Sequence, residues 1–129
     1  MADKNNFFAQ VEEICAKDNR YSPDSYEFVM GALGFTQKKL KKTGHLSGKE
    51  LLGGMRDYVI EQYGPMAKTV LNHWGIYTTQ DIGNIVFNMV NKKLLSKTEE
   101  DSKNDFEAVY DFNVVFANIL PESIAREIK

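Results

Sequence analysis

Apolar residues return every three or four positions along the chain as far as Val90, which is the spacing of one face of a helix. Phe7, Phe8, Val11, Ile14 and Cys15 predict an amphipathic helix over residues 5–17. After the polar Asp18-Asn19-Arg20-Tyr21, Ser22-Pro23 reads as a start: Ser as N-cap, Pro at the first helical position, where its missing N–H costs nothing. Tyr26, Val29, Met30, Leu33 and Leu40 carry that helix to Lys42, with Gly44 as its stop and Gly34 expected at a close helix contact. Ser47 and Glu50 form a capping box before the stripe Leu51, Leu52, Met55, Tyr58, Val59. Gly64-Pro65 ends that helix and opens another through Met66, Ala67, Val70, Leu71 and Trp74, which Gly75 closes. Thr78 or Thr79 caps the next, whose stripe is Ile82, Ile85, Val86, Met89 and Val90.

Beyond Leu95 the period changes. Phe106, Ala108, Tyr110 and Phe112 alternate with Glu107, Val109, Asp111 and Asn113, and a period of two predicts a half-buried strand. Residues 94–98 and 106–112 are therefore expected to pair as a β-hairpin, with Phe106, Tyr110 and Phe112 facing Val86 and Val90. The expected fold is mostly α: a compact bundle of about five helices with a C-terminal hairpin. The order helix, turn, helix, hairpin makes the second half winged-helix-like. One domain over 1–129 is expected, with N-terminal helices over 5–63, the winged-helix-like part over 65–112, and a tail, 113–129, that frays.

Composition narrows the function classes. A chain of 129 residues with 43% hydrophobic and 26% charged residues is a folded globule rather than a disordered segment. A formal charge of -2 excludes a strongly basic nucleic-acid coat, though not a local basic patch. One cysteine, Cys15, excludes an internal disulfide and a cysteine-based zinc site within one chain. No apolar run approaches ~18 residues, so no membrane partner is expected. The N-terminal Met-Ala-Asp-Lys-Asn-Asn has no signal-peptide character, and a cytoplasmic protein is expected.

Several segments together carry a resemblance. They are His45-Leu46-Ser47-Gly48-Lys49-Glu50-Leu51-Leu52, Gln62-Tyr63-Gly64-Pro65-Met66-Ala67, Thr69-Val70-Leu71-Asn72-His73-Trp74-Gly75, Asp81-Ile82-Gly83, Ile85-Val86-Phe87-Asn88, Leu94-Leu95-Ser96-Lys97-Thr98-Glu99-Glu100-Asp101-Ser102 and Val109-Tyr110-Asp111-Phe112. With these the chain resembles a family of short, uncharacterised bacterial single-domain proteins. The resemblance implies a bacterial, cytoplasmic protein and carries over no activity, cofactor or functional residue.

Candidate chemistry is sparse. The basic run Lys38, Lys39, Lys41 and Lys42, with His45 beyond it, could contact phosphates, or could complement the negative end of a helix. On the helix over 79–92, Gln80, Asn84, Asn88 and Asn91 form a polar face of a type that pairs with adenine in a major groove, although it holds no arginine for guanine. The wing over 97–111 carries two lysines against six acidic residues, so a phosphate backbone would repel it. The acidic stretch fails as a calcium loop because Phe106 stands where Gly belongs, and Thr43 to Glu50 fails as a phosphate-binding loop. His45, His73 and Cys15 lack metal-ligand spacing, and no cofactor is expected. Trp74 is expected inside, its N–H on a carbonyl, as a structural keystone.

The leading expectation is a non-enzymatic protein-interaction or regulatory module, acting on an unknown protein partner or by self-association. The alternative is a winged-helix nucleic-acid binder using the basic run and the amide face; a small enzyme of unknown chemistry ranks third.

Overall fold

The computed structural model describes residues 4–44, 46–95 and 103–117. Its elements are α1 (Lys4–Lys17), α2 (Pro23–Leu40), α3 (Gly48–Tyr63), a 3-10 turn (Gly64–Met66), α4 (Ala67–His73), α5 (Thr79–Asn91), a second 3-10 turn (Lys103–Phe106) and α6 (Phe112–Val115). No strand occurs among the described residues.

Local chemistry sets the helix starts. Ser47 accepts from the backbone of Glu50 and Glu50 accepts from the backbone of Ser47, a complete capping box. Thr78 and Asp81 do the same for α5. Ser22 has the extended backbone of an N-cap, but its hydroxyl makes no capping bond and lies buried without a partner. Helix α2 ends at Leu40, short of Lys42, and its stop is not Gly44 but Lys41, which takes a left-handed conformation (φ 57°) and returns its N–H to Lys38.

The two longest helices, α2 and α3, form the most extensive contact, with α1 laid across α2 and α5, and α4 against α3. The core takes most of its residues from the predicted stripes: Val11 on α1, Tyr26 and Val29 on α2, Leu52, Met55 and Val59 on α3, Leu71 on α4, and Ile82, Ile85 and Met89 on α5 are all buried, as is Ala32, which lies outside the expected stripe, whereas Leu40 of that stripe is exposed. The close approaches are at other glycines than Gly34, around which a methyl group would meet nothing within 4 Å. They include Gly54, against Thr36 of α2, Gly48 and Gly83, against Phe106, Gly31, against Tyr58, and Gly75, against the Arg20 carbonyl.

The hairpin expected over 94–98 and 106–112 is not there. Residues 96–98 lie outside the described residues, and the other half is a 3-10 turn, a turn at Glu107 and Ala108, and the entry to α6. Ala108 takes φ 50°, which breaks an extended strand. Among the described residues there is therefore no wing. The alternation in sequence has another cause. Phe106 and Phe112 are two anchors on a chain that wraps the bundle, and both are buried, whereas Ala108 is exposed. Tyr110 donates from its hydroxyl to the carbonyl of Leu52 at 2.7 Å, and its burial pushes that phenol well above the ordinary range. The start of the tail expected to fray is packed: Phe116 is buried and stacks edge-on with Phe112.

Candidate binding cleft

The amide face of α5 is half consumed by the fold. The α1–α2 connection passes beside it, and Asn84 donates to the Tyr21 hydroxyl (2.9 Å) while Asn88 donates to Asp18 (3.0 Å) and to the Tyr26 hydroxyl (3.0 Å). Tyr21 in turn donates to Asp81 Oδ1 at 2.6 Å. Asp18 holds Arg20 through both carboxylate oxygens, and those bonds keep its carboxyl well below the usual range against the opposing effect of burial. Gln80 and Asn91 remain exposed. The two central amides are thus a polar seam between α5 and the α1–α2 corner rather than a surface stripe.

This seam carries a pH signature. Burial, and then the carboxylate of Asp81, push the Tyr21 phenol up to about 12 from its ordinary 10.0. A raised folded-state value means the neutral phenol contributes fully below about pH 10 and that its contribution is lost as pH rises toward about 12. Tyr21→Phe should cost roughly 1 kcal/mol at neutral pH, since Asn84 loses its acceptor. It should also flatten the fall in stability between pH 10 and 12 relative to wild type. Urea midpoints across that range measure both; an unchanged alkaline slope would remove Tyr21 from this role.

The basic run is divided. Lys39 pairs with Asp57 (2.7 Å) and Lys42 with Glu50 (2.6 Å), so two of its charges tie α2 to α3. Lys38 and Lys41 are exposed and make no ion pair among the described residues. His45 lies outside the described residues. His73 is exposed at the end of α4. Cys15 is partly buried, its thiol donating to the Tyr21 carbonyl, and burial raises its pKa. Among the described residues no three His, Cys, Asp or Glu side chains group as metal ligands.

A concavity lies elsewhere. An open cleft of about 1040 Å³ runs between the start of α1, one face of α2, the C-terminal half of α3 and the end of α4. It lies at the top of the roughly 300–1,000 Å³ span of small-molecule pockets. Six aromatic residues line it: Phe7, Phe8, Phe28, Tyr58, Tyr63 and Trp74. Four of these belong to one ladder of rings. Tyr58 stacks on Phe28 (5.5 Å), Phe28 meets Trp74 (5.2 Å), and Tyr63 closes edge-on to Trp74 (5.9 Å).

Helix α2 brings Asp24, Glu27, Phe28 and Gly31 to the cleft at i, i+3, i+4 and i+7, a single helical face. Gly31 makes room for the ladder, since a methyl there would stand 2.7 Å from the Tyr58 hydroxyl. Trp74 therefore differs from its expectation. It packs on two rings, but it is only partly buried, it lines the cleft, and its indole N–H finds no acceptor among the described residues. Phe28 lies off the stripe of Tyr26, Val29 and Met30; its signal in the sequence is a second stripe, Phe28, Gly31 and Phe35, on the adjacent face.

No protein-family model, no curated protein and no solved structure matches the chain.

Proposed function

We propose that this protein is a non-enzymatic interaction module whose aromatic cleft receives side chains of a partner protein. One observation carries the reading: among the described residues nothing fills a concavity walled by aromatic rings. Phe8 is 40% and Tyr63 38% exposed, and both stand on the cleft beside the half-buried Trp74. Exposed aromatic rings gathered in one concavity are the composition of an interface centre, where Trp and Tyr dominate binding energy. No helix of the described chain is long and apolar enough to cross a membrane.

Two sets of surface variants test the proposal. Phe8→Ser with Tyr63→Ser removes exposed rings and should shift the unfolding midpoint little, whereas Lys38→Glu with Lys41→Glu reverses the two unpaired lysines. Immobilised wild type and both double variants are compared for partner capture from the native cell, with and without nuclease. Loss of a nuclease-resistant partner in the aromatic variant alone is expected. Capture that is nuclease-sensitive and lost only with the lysines would overturn the proposal in favour of nucleic acid.

A further inference from the structure

Among the described residues the cleft combines π-rich walls with negative charge: its lining includes Asp24 and Glu27 and no Lys, Arg or His. Neither carboxylate forms an ion pair or hydrogen bond among the described residues. Elsewhere some acids are paired, Glu13 with Lys92, Glu50 with Lys42 and Asp57 with Lys39, whereas Glu12, Glu61 and Glu107, like these two, make no ion pair among the described residues. The helix accounts for Asp24 in part, because an acid in the first turn complements the positive helix end. It does not account for Glu27, one turn further on and beside Phe28.

Aromatic rings attract cations to their faces, most strongly at tryptophan, and carboxylates at the rim supply the opposite charge. A guanidinium suits such a site better than an ammonium: it is planar, stacks on rings, is more weakly hydrated and can bond a carboxylate through two N–H groups. On the reading of the cleft as a partner-binding surface, we infer that its occupant is a basic peptide segment that lays an arginine side chain against Tyr63 and Trp74, which stand over the buried Phe28, with Asp24 and Glu27 as counter-charges.

Trp74 is the only tryptophan in the chain, so its emission reports on the cleft directly. The full chain is titrated with three capped decapeptides: one containing two arginines, its twin with citrulline at those positions, and an uncharged apolar sequence. The indole N–H resonance of Trp74 is followed in parallel. The arginine peptide should give a saturable change that weakens with salt. The citrulline twin should bind at least about tenfold more weakly, as should the arginine peptide to Asp24→Asn/Glu27→Gln. Glu27→Gln alone serves if the double variant loses its fold. Equal binding of the arginine and citrulline twins, or preference for the apolar peptide, overturns the cationic occupant while leaving the cleft as a binding surface. A Trp74 signal unmoved by all three peptides overturns both.

Discussion

Gly54→Ala is expected to destabilise the protein by about 2–4 kcal/mol, although alanine in an ordinary helix interior would gain about 1 kcal/mol over glycine. The reason is the distance between α2 and α3. A Cβ at position 54 would fall 1.6 Å from Thr36 Oγ1 and 2.6 Å from Thr36 Cβ. Thr36 has nowhere to turn: it is 2% exposed and its hydroxyl is bonded to the Ala32 carbonyl at 2.7 Å. The helices must separate, and every contact of the largest interface loosens with them. Gly53, one residue earlier, is the internal control. A methyl there meets nothing within 4 Å, so Gly53→Ala should stabilise by about 0.5–1 kcal/mol. Thr36→Ala should not rescue Gly54→Ala, because the Cβ that remains is itself too close. Thr36→Gly should rescue in part, since it moves the one permitted methyl from one helix to the other. Urea denaturation midpoints of the five proteins decide this; equal midpoints for Gly53→Ala and Gly54→Ala would mean the helices are not in contact there.

The contrast between neighbouring glycines shows which part of the fold was legible in the chain. Helices were, because their signals are local. The apolar period, Pro23, the capping box at Ser47 and Glu50, and the threonine pair at 78 and 79 act within one or two turns. Which glycine sits at a crossing depends on a residue from another helix. Gly34 and Gly54 look alike in sequence, and only Gly54 has Thr36 opposite. The amide face of α5 follows the same logic. Asn84 and Asn88 are as polar as any surface pair, but the groups they bond, Tyr21, Asp18 and Tyr26, belong to a corner far back in the chain. The cleft was hidden more completely, since its rings are distributed from Phe7 to Trp74 and no single window contains them. Its one local trace is the Asp24, Glu27, Phe28, Gly31 face of α2.

Phe106 is the anchor by which the segment over 103–117 is held to the bundle. Its ring is 4% exposed and stands over two glycines from different helices, Gly48 of α3 and Gly83 of α5. Phe87 meets it edge-on at 6.2 Å, and its carbonyl accepts the hydroxyl of the buried Thr79 at 2.6 Å. Glycine is needed at 83 because a methyl there would come within 2.7 Å of Phe106 Cβ, so the notch is built for this ring. Phe106→Ala should therefore cost about 3–5 kcal/mol, because the notch is walled by helix backbone and cannot collapse to fill the void. That is a large share of the roughly 5–15 kcal/mol typical of a domain. Gly83→Ala attacks the same contact from the other side. The two costs should not add: once the ring is gone, the methyl has less to displace, and the double variant should lose less than the sum of the singles. Hydrogen exchange adds a spatial reading. In Phe106→Ala, amides from Phe106 to Phe116 should lose protection before those of α3 and α5, since Tyr110, Phe112 and Phe116 dock after the same anchor. A midpoint for Phe106→Ala within about 0.5 kcal/mol of wild type, the ordinary effect of a surface substitution, would show that the ring is not seated between the two glycines.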